Sequence, residues 1–228
     1  MNDHGGEVAE VFARLAVELH EEPGINETVE AVLQFALQAV SCTHAGVVLS
    51  ERGAKLATVA VTDPLVEQSD RLQRDSGEGP SLEVIKDQDT VLVPDTATDE
   101  RYPVWAPKVA ALGLRSVLSV RLHASGITLG VLQLFNTEPY AFETDDDAVA
   151  HILARHASVA LASARQEASL WQAIDARKLI GQAQGILMER FGIDGDQAFT
   201  VLRRYSQDYN IKLRDVAQRL IETRKLPD

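Results

Sequence analysis

The chain has 228 residues, enough for one large domain or two small ones. Hydrophobic residues make up 45% and charged residues 25%, an ordinary balance for a soluble globular protein, and no run approaches the roughly 18 apolar residues that a membrane span needs. The formal charge of −12 is uneven: residues 166–228 hold 10 basic and 9 acidic side chains, so the acidic excess lies upstream, where it repels nucleic acid and anionic membranes.

The first ten residues, MNDHGGEVAE, are polar and acidic and do not form a signal peptide. Cys42 is the only cysteine, which excludes an intrachain disulfide and any CxxC metal site. These features point to the cytoplasm and to no membrane association. Val8, Val11, Phe12, Leu15 and Leu19 fall at helical spacing, ending before Pro23 and Gly24. Ile25, Val29, Val32, Leu33, Ala36, Leu37 and Val40 make a second stripe, beside which Cys42 reads as a buried structural thiol.

The period then changes. AGVVLS and LATVAV flank the turn-like Glu51 to Ala54 and predict a hairpin. A short helix is expected from Pro64 to Gln73, and a strand in VLVPD, residues 91–95. SVLSVRL and ITLGVLQLF flank His123 to Gly126 and predict a second hairpin. This order predicts an α+β domain over residues 1–144, with an antiparallel sheet and flanking helices.

Thr144 followed by Asp145, Asp146 and Asp147 is a helix-start signal. With no proline from there to Met188, a single helix of about 45 residues is expected. Its thin stripes, Val149, Leu153, His156 and Ala160, then Leu170, Trp171 and Ile174, must be buried. They pack either on the upstream domain or on a second copy of the chain, so residues 145–175 read as a dimerising linker helix. Gly192 ends the helix, and Asp194 with Gln197 caps the next, whose apolar face is Ala198, Val201, Leu202 and Tyr205. After a break at Gln207 to Asn210, Leu213, Val216, Ala217, Leu220 and Ile221 form a last amphipathic helix. Residues 176–228 thus read as a small helical bundle.

IGQAQGILMERFG followed by DQAFTVLRRYSQDYNIKLRDVAQRL resembles the ANTAR domain, a bacterial RNA-binding output module. Upstream, GEGPSLEVI, VPDTATDERYPVWAP and LGLRSVLSVRLHASGITLGVLQLF resemble a GAF sensor domain. The resemblance implies an antitermination regulator that holds paired RNA hairpins in nascent transcripts and prevents terminator formation; a homodimer is expected from the long helix. It also implies a small-molecule ligand at the GAF-like domain. Related proteins often carry cysteine where this chain has Ser81, so thiol-based sensing there is not expected.

Loops of hairpin RNA present phosphates and unstacked bases. Arg177, Lys178, Arg190, Lys212 and Arg214 are cations suited to the first. Gln182, Gln184, Ser206 and Asn210 offer hydrogen-bonding groups to the second. Gln182 and Gln184 are two apart on a helix, so either one of them faces away or the surface is wide. Arg190 also suits a helix C-terminus, and Asn210 a turn. Gly181 and Gly185 either admit a close neighbour or only weaken the helix.

The chain is not expected to be an enzyme. His151 and His156, five apart, do not share a face as metal ligands, and GEGP lacks the lysine and Ser/Thr of a phosphate loop. No cofactor is indicated. Tyr102, Trp105 and His123 either line a sensor pocket or are ordinary packing residues. The alternative function is a DNA-binding one-component regulator, in which the last two helices act as a helix-turn-helix.

Overall fold

The computed structural model describes residues 24–50 and 56–225. The stripe Val8 to Leu19 and the turn Glu51 to Ala54 lie outside the described residues. The chain divides into two compact units, with the boundary between Arg165 and Gln166.

The first unit runs α1 (Ile25–Ala39), β1 (His44–Ser50), β2 (Leu56–Val61), α2 (Pro64–Ser76), α3 (Pro80–Lys86), β3 (Thr90–Val93), α4 (Trp105–Ala111), β4 (Ser116–Ala124) and β5 (Ile127–Asn136). It also takes the start of α5 (Thr144–Phe191). The strands form one antiparallel sheet in the order β2-β1-β5-β4-β3.

Strand periodicity divides the side chains between the two faces of the sheet. Val47, Leu49, Leu118, Val120, Leu132 and Leu134 point to one face. They are covered by Val32, Leu33 and Phe35 of α1 and by Leu153, Ala157 and Leu161 of α5. Val91, Val117, Val131 and Phe135 point to the other, under Val66, Val84, Trp105 and Val109. A sheet covered on both faces explains the nearly unbroken apolar runs of β4 and β5. Gly130 lets β5 approach β1 closely: a Cβ there would stand 2.1 Å from the Val48 carbonyl oxygen.

The β4–β5 turn is shorter than expected. Ser125 and Gly126 alone take positive φ (51° and 77°), the pattern of a two-residue hairpin turn. His123 and Ala124 stay in the strand, opposite Thr128 and Ile127, after a bulge between Leu122 and His123. α2 extends beyond Gln73 to Ser76 and closes at Gly77 (φ 73°). α3 and α4 were not expected. The start of α4 is capped from a distance, since the N–H groups of Val104 and Trp105 donate to Glu78 Oε1 at 2.5 and 2.7 Å.

α5 is 48 residues long. Its capping residue is Glu143 rather than Thr144. The Glu143 carbonyl accepts from the Asp147 N–H at 3.2 Å, and the Glu143 N–H donates to Asp146 Oδ2 at 2.9 Å. Asp146 Oδ1 also accepts from the Ser41 N–H at 2.8 Å, joining the helix start to the end of α1. Ala150, Leu153, Ala157 and Leu161 are buried, whereas His156 is exposed.

The second unit consists of the end of α5, α6 (Gly195–Asp208) and α7 (Leu213–Thr223). Ala183 and Leu187 of α5 pack with Ala198 and Leu202 of α6 and with Val216, Ala217 and Leu220 of α7. Gly192 (φ 63°) ends α5, its N–H donating to the Met188 carbonyl at 2.9 Å. Asp194 and Gln197 form a reciprocal capping box.

Gly130→Ala is expected to push β1 and β5 apart and destabilise the fold by about 1–3 kcal/mol, read as a lower urea midpoint.

Candidate nucleic-acid interface and sensor pocket

The cations and amides of the second unit differ in what they already bind. Arg177, Lys178 and Lys212 are exposed and form no ion pair among the described residues. Arg214 is paired, its Nε 3.1 Å from Asp215 Oδ1. Arg190 donates through Nη1 to the Arg224 carbonyl at 2.6 Å, which holds the end of α5 to the end of α7.

Gln184 is half-buried, and its Nε2 donates to the Gly195 carbonyl at 2.8 Å, across the turn into α6. Gln182, two residues earlier, is exposed with no side-chain partner among the described residues. Ser206 Oγ donates to the Ile211 carbonyl at 2.6 Å. Asn210 sits in the left-handed region (φ 51°), which suits the turn into α7, and its side chain is exposed.

Lys178, Gly181, Gln182 and Gly185 therefore share one exposed strip of α5, at spacings of three and four. Nothing lies within 4 Å of a Cβ placed on either glycine, so the folding of the unit does not require them to be small. Arg203 and Arg219, which sequence reasoning did not single out, are also exposed and unpaired among the described residues. Their signal lay in the helical register, which puts both opposite the apolar stripes of α6 and α7.

In the first unit a buried polar network lies on the sheet face covered by α2 and α3. Asp70 accepts from Gln133 Nε2 at 2.7 Å and from the Thr58 hydroxyl at 2.7 Å. Gln73 Nε2 donates to Gln133 Oε1 at 3.2 Å and to Ser81 Oγ at 3.3 Å, while its Oε1 accepts from the Ser81 N–H at 2.9 Å. Asp70, Gln73, Ser81 and Gln133 are all buried. The cleft that Asp70, Gln73 and Ser81 share with Val48, Leu56 and Arg74 has about 10 Å³ of free space, room for about one water. Nearby, the hydroxyls of Ser69 and Ser119 are buried without a partner among the described residues.

Burial pushes the Asp70 carboxyl above its ordinary range, partly offset by the hydrogen bonds from Thr58 and Gln133. Tyr102 and Trp105 are buried and meet edge to face at 5.6 Å. The Tyr102 hydroxyl donates to Glu83, and Trp105 Nε1 donates to the Ser69 carbonyl at 3.3 Å. His123 is exposed on β4, so the three rings do not line one pocket. The Cys42 thiol donates to the Ala36 carbonyl at 3.4 Å, and burial, with Asp146 nearby, pushes its pKa up to about 12.

The GAF domain model matches residues 22–162, more than half of the chain. The chain belongs to the GAF family. The ANTAR domain model matches residues 168–221, so this is a GAF domain followed by an ANTAR domain. GAF domains are sensor modules and ANTAR domains are RNA-binding regulatory ones.

Solved structures share the fold of the first part. A domain of a two-component sensor histidine kinase from Sinorhizobium meliloti is 20% identical with a TM-score of 0.56, covering 65% of this chain and 98% of its own. Free methionine-R-sulfoxide reductase from Neisseria meningitidis is 18% identical with a TM-score of 0.59, covering 73% and 95%. The GAF domain of a phosphoenolpyruvate-protein phosphotransferase from Acinetobacter is 16% identical with a TM-score of 0.56, covering 74% and 99%. No curated protein matches the chain. No helix among the described residues is long and apolar enough to cross a membrane.

A carboxyl whose pKa is higher folded than unfolded favours the folded state at low pH and loses that contribution as pH rises through the folded value. The GAF–ANTAR chain should therefore lose stability relative to Asp70→Asn as pH rises from about 4 towards neutrality. Urea unfolding of both proteins at several pH values reads this directly. Parallel pH profiles would count against it.

Proposed function

We propose that this chain is a ligand-controlled, RNA-binding antitermination regulator. In this reading residues 1–144 are the sensor, 145–175 a dimerising helix and 176–228 the RNA-binding domain. The observation that carries it is the exposed strip of α5. Lys178, Gly181, Gln182 and Gly185 are not needed for the core of their own unit, and Arg177 lies beside them. A surface bare of side chains at two positions, with cations and an amide alongside, allows a polyanion to approach the helix backbone. The ANTAR match supplies the partner, hairpin RNA, held so that the terminator does not form.

Within this reading the exposed groups divide by role. Arg177, Lys178 and Lys212 contact phosphates, while Arg214 meets the RNA from the start of α7. Gln182 and Asn210 contact bases. Gln184, Ser206 and Arg190 shape the surface through the bonds they already make to main-chain carbonyls. Paired hairpins call for two RNA-binding domains, hence a homodimer. Leu170, Trp171 and Ile174 on α5 are 62%, 59% and 48% exposed, an apolar patch suited to a second copy of the chain. A small molecule reaching the Asp70–Gln133 network would be the signal.

The test is RNA binding by the full chain, followed by fluorescence anisotropy over a range of salt, with duplex DNA as competitor. Affinity should fall with salt. In the variant Arg177→Ala, Lys178→Ala, Lys212→Ala, the slope of log Kd against log salt should flatten by about 2. Preference for duplex DNA would favour the helix-turn-helix reading instead.

Gly185→Leu separates binding from folding. The open space around Gly185 predicts no loss of stability, because leucine is the better helix former by somewhat under 1 kcal/mol. RNA affinity should nevertheless fall at least ten-fold. Unchanged affinity would remove this strip from the interface.

A further inference from the structure

A second feature of the ANTAR unit was not foreseen in the sequence. Between α5 and the start of α7 lies a cleft of about 330 Å³, lined by Gln172, Asp175, Ala176, Leu179, Arg214 and Gln218, with Asp215 at its side. We propose that this cleft takes one unstacked base from the loop of the bound RNA. The inference rests on the RNA-binding reading above and names where sequence is read.

Size and chemistry both support it. The volume is at the small end for ligand pockets and suits one planar heterocycle. Ala176 and Leu179 offer apolar wall to a ring. Around them stand two amides, a guanidinium and two carboxylates, the groups that read base edges. Amides and guanidinium groups make paired bonds to purines, and carboxylates accept from amino groups.

The charges argue against a phosphate here. Asp175 and Asp215 both line the cleft, and Arg214 is already paired to Asp215 at 3.1 Å. A neutral ring carrying N–H donors meets no such repulsion. The reading groups are also unspent. Gln172 and Asp175 are exposed and have no hydrogen-bond partner among the described residues. The Gln218 amide nitrogen donates to Glu222, which leaves its oxygen without a partner among them.

The experiment uses the full chain and a hairpin RNA that it binds. Each loop nucleotide is replaced in turn by the other bases and by an abasic residue. Affinities are measured for the parent, Gln172→Met, Asp175→Asn and Gln218→Met, with helicity checked by circular dichroism. One loop position should lose about ten-fold in affinity when its base is changed or removed. The variants should lose about ten-fold on the intact loop and almost nothing further on the loop abasic at that position. Asp175→Asn, which replaces an acceptor by a group that also donates, should change which base is preferred.

Tight binding with no base preference, or a preference the variants leave untouched, would overturn the base pocket while sparing the RNA-binding reading. A parent that binds no hairpin RNA would remove both. Micromolar binding of a free nucleoside in the absence of RNA would reassign the cleft to a soluble nucleotide and overturn the loop-base assignment.

Discussion

One hydrophobic core in each unit draws on the same uninterrupted helix. Leu153, Ala157 and Leu161 close one face of the GAF sheet, and Ala183 and Leu187 hold the centre of the ANTAR bundle. All five lie on α5, whose backbone is helical from Thr144 to Phe191. A helix is kept in place mainly by the apolar face it buries. Neither unit can dispense with its share of α5: without it the sheet would expose Leu118 and Leu132, and α6 and α7 would have too little apolar surface to fold against. The length of the helix follows from serving two cores. Between them, from Gln166 to Asp175, most side chains are exposed.

The two units manage polar groups in opposite ways. The GAF unit buries them: Asp70, Gln73, Ser81 and Gln133 bond one another inside, so removing one leaves a buried polar neighbour short of a partner. That makes the network a sensitive place for a ligand to act, since a newcomer must replace bonds of equal quality. The ANTAR unit keeps its core wholly apolar and spends its amides and hydroxyls on helix ends, as Gln184 does on Gly195 and Ser206 on Ile211. The polar groups left over, Gln172, Gln182 and Asp175, are on the surface and available to a partner.

Much of the fold was legible because its signals are local. Gly192, Asp194 and Gln197 fall within six residues and determine both a helix end and a helix start. The strand runs carry their own period. What escaped notice depends on distant partners. α4 begins where Glu78 supplies the cap from 26 residues upstream, which no local pattern announces. The start of α5 showed the right residues one position off, because Asp146 rather than Asp147 folds back on the chain. The candidate interface was legible by residue type but not by availability. Nothing in the spacing shows that Gln184 reaches a carbonyl while Gln182 stays free. Gln172, Asp175 and Gln218 come from two helices and meet only in the folded unit.

Cys42 bears on how the chain can be studied. Burial holds the Cys42 thiol far above the range of an exposed cysteine, so much less of it is thiolate at neutral pH. Thiol-directed dyes react with the thiolate, so the native sequence is almost silent to them. A cysteine introduced at an exposed position in each unit would take up label selectively, without first deleting the native one. The chain is in effect a ready-made background for paired fluorophores, through which movement between sensor and output could be followed as ligand or RNA is added.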